Sequence, residues 1–288
     1  MKYGIYFAYW EDEWNVNQVK YVKKVKELGF DTLEISCAAL KNISREKMDE
    51  YKNAAKEYGI TLTGNFGPTA AENLSASDES EADHAVEVYR DILEKLAYMD
   101  IHTIGGGIYS YWPVDYSKPF DKRRDWEAAV KNVKKVARIA EDLGIDYCLE
   151  VLNRFEGYLL NTAAEALEFI KDVDVSSVKV LLDTFHMNIE EDSIVDAILM
   201  TGDKLGHVHV GENNRRVPGK GNLPWAEIGK ALKRINYQKN VVMEPFVMDR
   251  GGVASDIKVW RPVCDYTEPG RLDRDAEGAV RFLRHVFE

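Results

Sequence analysis

The chain has 288 residues and a formal net charge of −11, with 45% hydrophobic and 30% charged residues. That balance is ordinary for a globular enzyme, and its sign disfavours a protein that binds nucleic acid by neutralising phosphates. The three cysteines, Cys37, Cys148 and Cys264, are far apart with no CxxC pair, so neither a disulfide framework nor a zinc knuckle is expected. No apolar run reaches the ~20 residues that span a membrane, and the acidic, aromatic start MKYGIYFAYWEDEW is no signal peptide. A cytoplasmic protein with neither membrane nor nucleic-acid partners is expected.

Taken in order, short apolar runs alternate with amphipathic stretches. Lys2–Ala8 predicts a strand and Trp14–Leu28 a helix closed by Gly29. Thr32–Ile35, a helix from Ser44 to Tyr58, and the strand Ile60–Gly64 follow. Asn65–Ser77 is a loop, Ser80–Met99 a helix, Ile101–Gly105 a strand, Tyr109–Lys118 a loop and Trp126–Leu143 a helix. Asp146–Val151, Val178–Asp183, Leu205–Val210 and Val241–Glu244 predict four more strands. The helices between them are Thr162–Lys171, capped by Asn161 or Thr162, then Ser193–Thr201 and Pro224–Ile235. Phe246–Pro269 is irregular, and Asp273–Val286 closes the chain as a helix. Eight strands alternating with eight helices, without a linker, predict one (β/α)8 TIM barrel over residues 1–288.

Four of the strands end alike. CLEVLNRFE, VKVLLDTFHMN, LGHVHVGENNR and VVMEPF each run from aliphatic residues into a metal-capable or acid–base side chain: Glu150, Asp183, His209 and Glu244. Their spacings, 33, 26 and 35 residues, match one βα unit each. In such barrels the active site lies at the C-terminal ends of the strands, so the four converge there. Three carboxylates and one imidazole suit Mn²⁺, Mg²⁺ or Co²⁺ better than structural zinc. Glu156, His186 and Arg215, a few residues beyond, read as supporting or substrate-orienting groups. His207 shares the inward face of His209 one layer deeper and reads as a core or supporting residue. Tyr6, Trp14, Trp112 and Phe246 fall at or after strand ends and read either as rings that stack on the C–H face of a sugar or as packing under loops. Gly105-Gly106-Gly107 lacks the dinucleotide spacing and reads as backbone clearance. Pro218-Gly219-Lys220-Gly221 lacks the phosphate-loop spacing and reads as a mobile polar loop.

These residues sit in long strings that resemble one family. GIYFAYWEDEW, DIHTIGG, YSYWPVDYSKP, CLEVLNRFE, LLDTFHMNIEEDS, GHVHVGENNRRVPGKGNLPW, VVMEPF and SDIKVWR are similar, nearly end to end, to the ketose 3-epimerases that act on D-tagatose and D-psicose (D-allulose). The resemblance implies a metal-dependent epimerase of free ketohexoses, with Mn²⁺ the first expectation and Co²⁺ or Mg²⁺ also possible. It implies Glu150, Asp183, His209 and Glu244 as metal ligands, and Glu150 and Glu244 as the acid–base pair. Glu156, His186 and Arg215 would hold the C1–C3 end of the sugar, and Tyr6, Trp14, Trp112 and Phe246 would form the apolar wall. A homodimer or homotetramer is implied, with the segment DIKVWR (Asp256–Arg261) either at the interface or covering its own barrel. Two wall positions depart from the family pattern. Phe66 stands where a smaller side chain is usual, and Gly107 where Ala or Leu is usual. Rival readings are a C1–C2 sugar or sugar-acid isomerase, a metal-dependent phosphodiesterase and a non-enzymatic sugar-binding protein.

Overall fold

The computed structural model describes residues 1–288. Eight parallel strands form a closed barrel in sequence order: β1 (Lys2–Tyr6), β2 (Thr32–Ser36), β3 (Thr61–Asn65), β4 (Thr103–Gly106), β5 (Asp146–Glu150), β6 (Val178–Asp183), β7 (Leu205–Val210) and β8 (Asn240–Met243). Closure is made by β1 on β8, with Gly4 opposite Val242, and leaves no strand edge unpaired. The helices are α1 (Lys20–Glu27), α2 (Arg45–Tyr58), α3 (Glu79–Tyr98), α4 (Lys122–Asp142), α5 (Ala163–Val173), α6 (Thr184–Glu190), α7 (Ile194–Thr201), α8 (Trp225–Arg234), α9 (Gly251–Ile257) and α10 (Arg271–Phe287). None is long and apolar enough to cross a membrane.

Local chemistry sets the helix starts. Ser44, Asp78, Asp121, Thr162 and Ser193 each accept a backbone N–H of the first turn, supplying partners that helix N-termini otherwise lack. The Asp121 cap starts α4 one turn before Trp126. α1 begins later than its pattern predicts, at Lys20. The preceding Gln18 side chain instead accepts the N–H of Ser36 at the end of β2. Two short helices are additions to the sequence reading. α6 starts directly on Asp183, whose side chain accepts the N–H of Phe185. α9 lies inside the segment expected to be irregular, and lies along the mouth of the barrel.

Candidate active site

Glu150 and Asp183 close β5 and β6, His209 lies one residue before the end of β7, and Glu244 follows β8 directly. Asp183 and His209 are register partners. One ligand-type atom from each of the four lies within 4.8 Å of all the others, and all four side chains are buried. His209 Nδ1 is 3.3 Å from Glu150 Oε1 and 3.7 Å from Glu244 Oε2. Asp183 Oδ2 is buried without a hydrogen-bond partner.

Three carboxylates this close and this dry do not coexist as anions without a cation. Burial pushes the Glu244 carboxyl well above the ordinary range, and the charges of Glu150 and Asp183 push the same way, outweighing His209 and Arg215. Burial opposes a charge on His209, but Glu34, Glu244 and Glu150 together raise it well above an ordinary histidine. An oxygen-rich donor set with one imidazole nitrogen and one orphaned carboxylate oxygen fits a hard divalent cation.

A cavity of about 240 Å³ opens above the cluster, lined in part by Glu150, Glu156, His186, Arg215 and Glu244. Tyr6, Trp14, Trp112 and Phe246 form one aromatic wall, with Tyr6–Phe246 and Trp14–Phe246 ring centres 6.3 Å apart and Trp14–Trp112 6.1 Å apart. Phe66 and Gly107 border the same cavity. The Phe66 ring is wholly buried and packs edge-on to Tyr89. Every residue assigned to catalysis, metal or sugar binding from the sequence, except Asp183 and His209, borders the cavity; those two lie behind it, with ligand atoms within 4.8 Å of those of Glu150 and Glu244.

The polar end is a network. Arg215, at a φ of 63°, donates from Nη2 to Glu156 Oε1 at 2.9 Å, and its guanidinium lies 3.7 Å above the Phe185 ring. Its Nε and Nη1 are buried with no protein partner, and Nη1 is 3.9 Å from Glu244 Oε2. Asn153 donates to Glu156 at 2.9 Å and meets His186 Nδ1 at 2.7 Å, while His186 Nε2 is 3.8 Å from Glu150 Oε1. Trp112 Nε1 donates to Glu156 Oε2 at 3.2 Å. Burial alone would raise the Glu156 carboxyl, but Arg215, His186 and these donors hold it below the ordinary range.

Several residues at the site were not singled out in the sequence. Asn65, at the end of β3, donates to Glu244 Oε1. Glu34, in the middle of β2, bonds both His207 and His209; the lone charge in TLEIS was its only signal. Asp256 of α9 accepts from Trp14 Nε1 at 2.8 Å, tying that helix to the aromatic wall. Glu212 accepts from the N–H groups of Gly219 and Leu223 and from Trp225 Nε1, so the 218–221 turn expected to be mobile is pinned by a buried carboxylate.

Fold and site define an α/β barrel enzyme with a buried carboxylate and histidine cluster able to hold a metal ion, and comparison with known proteins gives its family. The xylose isomerase-like TIM barrel family model matches residues 22–268. D-psicose 3-epimerase of Enterocloster bolteae is 54% identical over all of this chain and 96% of its own length. A solved structure of the D-psicose 3-epimerase of Clostridium cellulolyticum with D-tagatose superposes with a TM-score of 0.99 at 53% identity, covering both chains completely. A D-psicose 3-epimerase structure obtained in the presence of D-fructose gives 0.98 at 49% identity, over 100% of this chain and 99% of the other. The chain belongs to the ketose 3-epimerase family of xylose isomerase-like TIM barrels, as its sequence strings imply.

Proposed function

We propose that this chain epimerises free ketohexoses at C3, with D-fructose and D-psicose as the favoured pair and D-tagatose and D-sorbose also accepted, in one catalytic domain spanning the barrel. The observation that carries this reading is the placement of Glu150 and Glu244 on strands three apart, both reaching the same cavity floor. Epimerisation requires a base on one face of C3 and an acid on the other, and these two carboxylates fill those roles. Glu150, Asp183, His209 and Glu244 would hold a divalent cation, Mn²⁺ in first place and Co²⁺ or Mg²⁺ as alternatives. Such a cation supplies Lewis-acid stabilisation of the negative charge that develops when a proton leaves carbon beside a carbonyl.

The remaining steps belong to the side chains. Glu156 holds Arg215 by a buried ion pair and anchors the C1–C2 end of the sugar. The two unpartnered nitrogens of Arg215, Nε and Nη1, and the ring of His186 face the carbonyl end and stabilise charge there. The aromatic wall takes the apolar face of the sugar and excludes water. Chelation should abolish turnover, and Mn²⁺ or Co²⁺ should restore it better than Ca²⁺; full activity in exhaustively stripped protein would overturn the reading. Self-association is part of the proposal. In the DIKVWR segment Ile257 and Val259 are buried within their own chain, while Trp260 is 71% exposed, an apolar ring suited to a second copy. Sedimentation showing only monomer at micromolar concentration would remove that element.

A further inference from the structure

Glu34 does not border the cavity, yet it touches the candidate cation site through one intermediary. It lies midway along β2 with no exposed surface. Its Oε1 is 2.8 Å from His209 Nε2. Its Oε2 is 2.8 Å from His207 Nε2 and accepts the Thr63 hydroxyl at 2.8 Å. Thr63 and Glu34 are register partners on adjacent strands, so the hydroxyl is delivered by the sheet itself.

We propose that Glu34 is a positioning residue for the metal centre: it fixes the tautomer and the aim of His209, with Thr63 and His207 bracing it. The inference rests on the proposed metal-dependent function. A neutral imidazole has one N–H and one bare nitrogen, and a carboxylate can only accept. With its Nε2 hydrogen held by Glu34, the proton that His209 would give up to a bound cation is the one on Nδ1, the nitrogen that faces Glu150 and Glu244. The opposite tautomer would set a lone pair against a buried carboxylate and close the metal-facing nitrogen with a hydrogen. His207 follows the same logic. Its Nδ1 is buried without a partner, which is tolerable for a bare nitrogen and costly for an N–H. A carboxylate behind a metal-binding histidine commonly governs ligand orientation and basicity. A second reading of Glu34, His207 and His209 is a second metal site, since their atoms also lie close enough to hold an ion. The three 2.8 Å contacts are hydrogen-bond distances, and His209 cannot give both nitrogens to metals while donating to Glu34.

The test combines Glu34→Gln with a measurement on the unaltered protein. A glutamine keeps the shape but replaces one accepting oxygen with an NH2 group that only donates, so the two histidines cannot both keep an Nε2 hydrogen bonded to it. Chelator-stripped protein titrated with Mn²⁺ by calorimetry should show one site per chain, with affinity about 10- to 100-fold weaker in the variant. Thr63→Val should show a smaller loss. In ¹⁵N-histidine-labelled wild-type protein saturated with Mg²⁺, two-bond ¹H–¹⁵N spectra should show His207 and His209 protonated at Nε2 only. Wild-type affinity in a folded Glu34→Gln protein, an Nδ1-protonated His209, or two ions per chain would overturn the inference. If the wild-type protein takes up no divalent ion at all, the metal-dependent function fails, and this inference with it.

Discussion

Asn65 donates its side-chain N–H to Oε1 of Glu244 at 3.1 Å, across the barrel mouth from the end of β3 to the residue just past β8. The bond matters because burial and the neighbouring carboxylates push Glu244 toward its neutral form, whereas a donor aimed at a carboxylate favours the ionised one. It also leaves Oε2 facing His209 and Arg215. Replacing Asn65 with Ala should lower kcat about 10-fold, the worth of one hydrogen bond to a charged group. KM should change little, and the acid limb of the pH profile should move to higher pH. Steady-state kinetics across pH would show this; an unchanged kcat would mean that Glu244 is held by its other neighbours.

Two adjacent glycines should respond oppositely to an added methyl. A Cβ on Gly107 would meet Leu152 at 3.5 Å and Trp112 at 3.9 Å, ordinary contact distances, on the cavity side. Gly107→Ala should therefore fold normally and leave metal affinity alone. It should shift the ratio of kcat/KM for D-allulose and D-tagatose by about 10-fold or more, the scale of one methyl-sized change in a pocket. Gly106 has a φ of 117°, and its Cβ would overlap the Phe66 carbonyl oxygen. Gly106→Ala should cost about 3 kcal/mol or more from backbone strain and overlap. Thermal melts of both variants, with kinetics for Gly107→Ala, check the pair; weakened metal binding in Gly107→Ala would place that residue's effect on the backbone instead of the wall.

Glu156 links stability to pH. Its folded carboxyl lies below the ordinary glutamate value, so folding favours the ionised form. That contribution is fully present above about pH 4.3, the unfolded value, and is lost as pH falls through the lower folded value. Glu156→Gln should be less stable than wild type at pH 7 by about 2 kcal/mol, the worth of a charge-assisted hydrogen bond. The gap should close as pH drops below 4. Chemical denaturation with chelator present, so that metal release does not intervene, measures it; a gap independent of pH would assign the loss to packing.

What the sequence made legible depends on where a charge stands along its strand. Glu150, Asp183, His209 and Glu244 each end an apolar run, and in a parallel barrel that position alone aims them at the mouth. Glu34 stands mid-strand, where only its contacts with β3 and β7 reveal its use. Asn65 opens a polar stretch and looks like ordinary loop material until β8 is laid across from it. The two missed helices have different causes. α6 is seven residues long and begins inside the site, capped by Asp183. α9 opens with Gly251 and Gly252, local signals for a stop. It is held by partners some 240 residues away in sequence: the carbonyl of Asp12, Glu13 and Trp14.

The central claim is that a proton leaves and returns at C3 of a ketose between Glu150 and Glu244. The direct measurement is a time course with D-fructose in D₂O, using enzyme loaded with Mn²⁺ and sugars freed of metal before NMR. Deuterium should accumulate at C3 of both D-fructose and the D-psicose formed, and neither Glu150→Gln nor Glu244→Gln should support it while both still bind the sugar. Deuterium at C1 with aldose formation, or conversion undiminished in both variants, would contradict the account.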